Sequence, residues 1–235
     1  MKLISVVIAA FNEEENLPKC LDALVSQNFP KDKYEIIVVD NNSVDKTAEI
    51  ALSYGAEVIK EEKQGNTYAV KKGMDSAAGE IIAMVDADTI VEKNWLTDIA
   101  KVFEDENIVG LTGMGEIKSG NKLLDIFGQK FYEYFLKINF LIRKPHITGF
   151  NLAVRKSAYD KIGGLDARFT MSPDIDLGLR LGRVGKVIFD KNIKVITSFR
   201  RWEKHPIDAF ITYAKGYVWT VWFRKPPPVK QKVIR

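Results

Sequence analysis

One pattern constrains this chain more than any other. Four short apolar runs, residues 3–9, 35–39, 56–59 and 81–85, are rich in Val and Ile and too short for helices, and segments of helical periodicity separate them. Near-continuous apolar runs of this length suit strands covered on both faces, so the order predicts an α/β fold with a mostly parallel central sheet flanked by helices. The intervening helices are legible from their ends and stripes. Asn16 stands at the cap of the first, with Pro18 in the opening turn and Leu17, Leu21, Leu24 and Val25 as the buried stripe. Ser43 or Asp45 opens the second, which ends near Gly55, and residues 66–77 form the third before Gly79.

Beyond Asp88 the alternation weakens. Residues 95–103 read as helix and 108–117 as extended chain. Residues 123–142 carry Leu124, Phe127, Phe131, Phe135, Ile138 and Ile142 at three- and four-residue spacings, an amphipathic helix rich in aromatics. A strand at 151–154, a helix at 174–183 and strands near Val187 and Val195 come next. A last stripe, Ile207, Phe210, Ile211, Ala214, Val218 and Trp222, stops at Pro226, Pro227 and Pro228. The two amphipathic stripes have two readings. One is packing against the sheet. The other rests on Tyr217, Trp219, Trp222 and Phe223, followed by Arg224, Lys225, Lys230, Lys232 and Arg235, a combination suited to an anionic bilayer surface.

Composition excludes other classes. With 235 residues, 46% hydrophobic and 28% charged, the chain is long enough for a sizeable core and too apolar for disorder. A single cysteine, Cys20, makes an intrachain disulfide impossible and fits a reducing compartment. The opening residues have acids where a cleavage site would lie, so they are expected to be a buried strand rather than a signal peptide. No window reaches the ~18 uncharged apolar residues of a membrane span. The +4 net charge is too mild to imply nucleic acid, and no recognition motif accompanies the basic tail, so no nucleic acid is expected.

Ligands of open α/β sheets bind beyond the carboxyl ends of the strands. Here the first strand runs into Ala9-Ala10-Phe11-Asn12-Glu13, the second into Asp40-Asn41-Asn42-Ser43 and the fourth into Asp86-Ala87-Asp88. Neither a Walker loop nor a G-x-G-x-x-G follows the first strand, so phosphates need another partner. Asp86 and Asp88, two apart at an extended strand end, would point to one side and hold a hard divalent cation, Mn2+ or Mg2+. The competing reading is a solvated turn.

The blocks VVIAAFNEEENL, VVDNNSVDKT, GNTYAVKKG, VDADT, TGFNLAVRKSAYDKIGG and SPDIDLGLRL, in this order from Val6 to about Trp202, resemble the family 2 inverting glycosyltransferases of the GT-A fold. The resemblance implies a Rossmann-like nucleotide half and an acceptor half. It implies that Ala9, Phe11 and Glu13 border the nucleotide and that Asp40 accepts from the base. Uracil N3–H and guanine N1–H are donors that a carboxylate can bind. An N-cap of the following helix is the alternative for Asp40. Asn42 and Lys71 would wall the same pocket, and Gly65 and Asn66 would bring backbone to the nucleotide. An ordinary turn explains the last two almost as well.

Asp174 falls in the acceptor-activating motif and would be the general base, with Pro173 standing where the family usually has Glu. Helix capping is its alternative role. Gly149 and Asn151, within Thr148-Gly149-Phe150-Asn151, match the acceptor side. Residues 163–171 read as a mobile loop beside Asp174. Ser198-Phe199-Arg200-Arg201-Trp202 stands where processive synthases carry Gln-x-x-Arg-Trp, with Ser198 for the glutamine, which argues against a processive polymerase. Arg200 or Arg201 would reach the diphosphate, and His205 is a further metal candidate with a structural role as its alternative.

The chain is thus expected to form a GT-A domain at 1–204, with a nucleotide-sugar half at 1–90 and an acceptor half at 91–204, and an amphipathic helix with a basic tail at 205–235. Its expected function is metal-dependent transfer, with inversion, from a UDP- or GDP-sugar to a hydroxyl on a saccharide or lipid-linked acceptor. The expected place is the cytoplasm, with peripheral contact on the membrane's cytoplasmic face. The alternatives are a polyprenyl-phosphate sugar synthase and a non-catalytic sugar-nucleotide-binding protein. A pyrophosphorylase would need a basic, glycine-rich loop where Phe11-Asn12-Glu13-Glu14-Glu15 is acidic.

Overall fold

The computed structural model describes residues 3–116, 122–197 and 206–227, with side chains over 3–116, 125–197 and 211–227. Ser198, Arg200, Arg201, Trp202 and His205 lie outside the described residues, as do Lys230, Lys232 and Arg235.

The four apolar runs form β1 (Ile4–Ala10), β2 (Tyr34–Asp40), β3 (Glu57–Lys60) and β4 (Ile81–Met84), all parallel, within a residue or two of their sequence limits. Between them lie α1 (Leu17–Val25), α2 (Thr47–Ser53) and α3 (Asn66–Ser76). Asn16 occupies the α1 cap position without a side-chain cap bond, its amide donating instead to Glu13 Oε2 at 2.7 Å. At α2 the Asp45 carboxylate accepts the Thr47 N–H at 3.0 Å, although Lys46 is the cap residue.

The second half is mixed. A two-residue β5 (Ile90–Val91) precedes α4 (Trp95–Val102) and β6 (Ile108–Glu116). Then come α5 (Lys122–Leu141), β7 (Leu152–Arg155), α6 (Lys156–Lys161), α7 (Pro173–Leu181), β8 (Lys186–Ile196) and α8 (Pro206–Val218), which continues as a π-helical turn over Trp219–Phe223. Among the described residues there is one eight-stranded sheet, in the order β3-β2-β1-β4-β7-β6-β8-β5. Strand β7 runs antiparallel to both neighbours, and β8 is parallel to β6. The two strands expected near Val187 and Val195 are one strand, with a register shift against β6 between Thr112 and Met114.

Apolar layers cover both faces of the sheet. Leu17, Leu21, Leu24, Trp95, Leu96 and Ile99 fill one, beneath α1 and α4. Val70, Met74, Tyr159, Leu177 and Leu181 fill the other, beneath α3, α6 and α7. Burying side chains of this size is worth about 1.5–3 kcal/mol each, which makes the alternating pattern a strong determinant of the fold.

The stripes of α5 and α8 do not follow this rule. Phe127, Phe131, Ile138 and Ile142 are exposed, Phe131 at 75%. The buried side of α5 carries Leu136, Asn139 and the phenol of Tyr132. Ile211, Val218 and Trp222 of the C-terminal segment are likewise exposed, whereas Gly216, Thr220 and Val221 are buried. Val221 and Tyr217 pack on Ile175 and Leu179 of α7. The packing reading of the two stripes is therefore corrected in part: all the described stripe residues but Phe135 face out, Phe135 packs on His146 and Tyr217, and the other inward contacts come from the opposite flank of each helix.

Candidate active site

Chain order along the sheet reverses between β1 and β4, and a crevice at such a switch point is where α/β sheets take ligands. The β1 end brings Phe11 and Glu13 to it, and the β4 end brings Asp86 and Asp88. Two asparagines close these strand ends in the left-handed region, Asn12 at φ 54° and Asn42 at φ 65°, a strained conformation that asparagine tolerates better than most side chains. The β1 and β2 loops are laced together. Asn12 Oδ1 accepts the Val44 N–H at 2.9 Å, and Ser43 Oγ accepts the Asn12 N–H at 3.0 Å. Thr47 Oγ1 accepts the Glu13 N–H at 2.8 Å.

Asp40 is 7% exposed at the end of β2. Its Oδ1 accepts the Ser43 N–H at 3.1 Å, so it closes a local turn and does not cap α2, which starts at Thr47. Next to it Asn41, absent from the sequence-derived set, joins the β2 and β3 ends. Its amide donates to the Glu61 and Lys63 carbonyls, both at 2.9 Å, and its Oδ1 accepts the Gly65 N–H at 2.7 Å. Only the polar block as a whole was visible in the sequence, since nothing there ranks Asn41 against Asn42. The Asn42 amide donates to the Glu62 carbonyl at 2.7 Å. Gly65 adopts φ 138°, which a side chain would rarely permit, and Asn66 begins α3 exposed. Lys71, expected in the pocket wall, is paired with Asp75 at 2.7 Å on the outer face of α3.

Asp86-Ala87-Asp88 is not extended as expected. The Thr89 N–H closes a turn onto the Asp86 carbonyl at 3.0 Å, and Ala87 is buried. The buried Cys20 thiol, 3.7 Å from the Asp86 carbonyl, is pushed up to about 12 by burial, with the charges of Asp88 and Asp86 adding. A carboxylate pair of this kind fits a cation that takes its remaining ligands from water and substrate phosphate. Among the described residues no cluster of three or more His, Cys, Asp or Glu could hold a metal without them. Thr89 Oγ1 donates to Thr197 Oγ1 at 3.0 Å, which fastens this turn to the end of β8.

The other side of the crevice is built around Asp174 at the start of α7. Its Oδ2 accepts the Gly149 N–H at 3.0 Å and its Oδ1 accepts the Ile175 N–H at 2.9 Å. Burial raises its carboxyl above the ordinary aspartate range, and these N–H bonds oppose the shift. The bond to Ile175 is local, so Asp174 also serves its own helix start. Asp176 pairs with Arg180 at 2.6 Å, and Arg180 Nη1 donates to the Ile162 and Gly164 carbonyls. The loop after Gly164 is thereby tied to α7 at its start, and it buries Leu165, Phe169 and Met171.

Tyr132 of α5, not singled out in the sequence, is buried near Asp174. Burial raises its phenol and the Asp174 charge adds to the effect. Its position in an aromatic-rich helix offered no signal.

Asn151, expected on the acceptor side, is 1% exposed. Its Oδ1 accepts the Trp95 indole N–H at 3.0 Å, and its amide donates to the Met114 and Ile193 carbonyls at 3.1 and 2.9 Å. A Cβ at Gly113 would lie 2.2 Å from this amide, so that glycine makes room for it. Asn151 ties β6, β8 and α4 together beneath the site, and both its amide hydrogens are used.

This geometry has relatives. The chain is 40% identical over 102 residues to glycosyltransferase AglE of Haloferax volcanii, a match covering 41% of this chain and 34% of that protein. It is 29% identical over 195 residues to a beta-monoglucosyldiacylglycerol synthase of Nostoc sp., covering 77% and 41%. The chain thus spans well under half the length of these two relatives. The fold matches a mannosyltransferase of Pyrobaculum calidifontis, solved with GDP-Man and Mn2+, at a TM-score of 0.74 and 19% identity, over 92% of this chain and 61% of that one. The likeness establishes a GT-A architecture. The sequence profile of glycosyl transferase family 2 matches residues 5–163, most of the chain and both carboxylate-bearing strand ends, and the protein belongs to that family.

Proposed function

We propose that this protein transfers a sugar, with inversion and with a divalent metal, from a UDP- or GDP-sugar to a hydroxyl on a saccharide or lipid-linked acceptor. The observation that carries the reading is that Gly149 joins two acidic sites: a Cβ there would lie 3.4 Å from Met84 of β4, the strand that runs into Asp86-Ala87-Asp88, and its N–H donates to Asp174. Asp86 and Asp88 lie on a turn at the switch point, and Asp174 sits half-buried against Gly149. Asp174 would take the proton of the acceptor hydroxyl as its oxygen attacks the anomeric carbon from the side opposite the diphosphate. Its raised proton affinity suits that task, and the N–H groups of Gly149 and Ile175 fix its orientation. Mn2+ or Mg2+ held by Asp86 and Asp88 would supply charge neutralisation for the departing diphosphate. The Mn2+ and GDP-Man bound by the Pyrobaculum protein support this assignment. Asp40, with Phe11, Glu13 and the Gly65-Asn66 turn, would receive the nucleotide, the carboxylate accepting a ring N–H.

Asp174→Asn tests the reading. Donor binding should persist while transfer falls by roughly 10²–10⁴. For the intact protein, the acid limb of kcat/KM should lie above the ordinary aspartate range. Excess chelator should abolish turnover, and Mn2+ or Mg2+ should restore it. Wild-type transfer by the variant, or full turnover in chelator, would overturn the base or the metal respectively. A lipid-linked acceptor is favoured by the exposed apolar faces of α5 and α8. If it presents an already ionised phosphate, Asp174 would only position it, so hydroxyl and phosphate acceptors should respond differently to this one substitution.

A further inference from the structure

We propose that α5 and the C-terminal segment of α8 and its π turn form one composite face that docks on an anionic lipid bilayer and presents bilayer-borne acceptors to Asp174. In naming the acceptor's origin the inference rests on the glycosyl-transfer reading above; the docking itself does not.

Both helices turn apolar rings away from the protein: Phe127, Phe131 and Leu141 on α5, Trp222 and Phe223 beyond α8. Contiguous exposed apolar surface of this kind marks an interaction site. The two helices are joined. The Tyr217 phenol donates to Asn139 Oδ1 at 2.6 Å, its ring lies 5.3 Å from that of Phe135, and Lys144 Nζ lies 5.7 Å from the Trp222 ring centre. The helices are therefore held together along their inner flanks, and Lys144 brings the end of α5 beside the outward Trp222.

Charge identifies the occupant. Residues 122–144 hold Lys122, Lys130, Lys137, Arg143 and Lys144 against Asp125 and Glu133, and Glu133 is paired with Lys137. Residues 206–227 hold Lys215, Arg224 and Lys225 against Asp208. Each helical segment is followed by an arginine in the left-handed conformation, Arg143 at φ 57° and Arg224 at φ 54°. Aromatic rings framed by cations match a surface of acyl chains under anionic headgroups. A second copy fits poorly, because two-fold pairing would set this basic rim against itself. No helix among the described residues is long and apolar enough to cross a membrane, so the face would lie in the interfacial plane.

The face also borders the candidate base. Gly216 closely approaches Ser172 at the start of α7, where a Cβ would lie 2.7 Å from its hydroxyl oxygen. Tyr132, on the inner side of α5, is within the field of both Asp174 and Tyr213, and Tyr213 is partly exposed.

The test is sedimentation of the full chain with vesicles of phosphatidylcholine alone or mixed with phosphatidylglycerol. The wild type should sediment with the mixed vesicles, much less with the neutral ones, and should be released by salt. Phe131→Asp combined with Trp222→Asp should reduce binding about tenfold or more. Both side chains are exposed, so the thermal midpoint should hold. Leu52→Asp, an exposed apolar position on α2, should leave binding unchanged. Equal sedimentation of wild type and double variant would overturn the proposal. So would a vesicle-free dimer that the double variant dissolves. Donor binding measured without vesicles separates the two readings: its loss with vesicle binding intact sinks the transferase reading alone, and the reverse result sinks the docking face alone.

Discussion

The amino half and the carboxyl half use the same sequence device for opposite ends. In α1 the three- and four-residue spacing of Leu17, Leu21 and Leu24 marks the side that is fully buried against the sheet. In α5 the same spacing of Phe127, Phe131, Tyr134 and Ile138 marks the side that faces out. Periodicity reveals that a helix has two faces, and the neighbouring elements decide which one is inside. Helix α1 lies over β-strands whose apolar residues meet it. Helix α5 meets β6 and β8, where the Phe140 ring centre lies 6.3 Å from that of Phe189, and turns Asn139 to Tyr217.

Paired truncations break this comparison most directly. Leu21→Ala should cost about 2–5 kcal/mol of unfolding free energy, because it opens a cavity in a covered core. Phe131→Ala, a larger deletion, should stay within about 0.5 kcal/mol. Chemical denaturation of both variants measures the contrast, and similar losses would mean that the outer stripe of α5 is packed as tightly as the inner stripe of α1. Within the amino half, Asp40→Ala should weaken UDP or GDP binding by about 1.5–3 kcal/mol, read by calorimetry. Unchanged affinity in a folded variant would remove Asp40 from the pocket.

The carboxyl half should respond to acid through His146. It is half-buried between Phe135 and Tyr217 with its Nδ1 shut off from solvent, and this desolvation depresses it from 6.5 to about 4. The unfolded chain takes up a proton near pH 6.5 whereas the folded one resists until about pH 4, so stability should fall as pH drops through that window. His146→Leu should flatten the thermal midpoint over the same range. An unchanged slope would show that another group controls it.

Much of the amino half was legible because β1, β2 and β4 are covered on both faces and end in their own polar blocks. Asp40, Asp86 and Asp88 could be found by inspecting the residues at the carboxyl end of each apolar run. The carboxyl half resisted for physical reasons. A two-residue β5 has too little length to show a period, and the Asp190-Lys191-Asn192 interruption made one strand look like two. Asn151 and Asn41 were obscure because their importance lies in partners distant in sequence. Trp95, Met114 and Ile193 converge on the first, and Glu61, Lys63 and Gly65 on the second. Spacing cannot reveal a convergence that only the finished sheet creates.

The lacing of the loops around Asp40 bears on how quickly a donor is captured. With Asn41 holding the β3 end and Asn12, Ser43 and Thr47 holding the β1 and β2 ends together, this rim is ordered by folding. A nucleotide received at Asp40, as proposed, would lose little time waiting for the rim to assemble, and its arrival would cost little additional chain entropy. Cutting one lace, as in Asn41→Ala, should therefore slow association as well as weaken affinity, because only the fraction of molecules with the rim in place would receive the ligand.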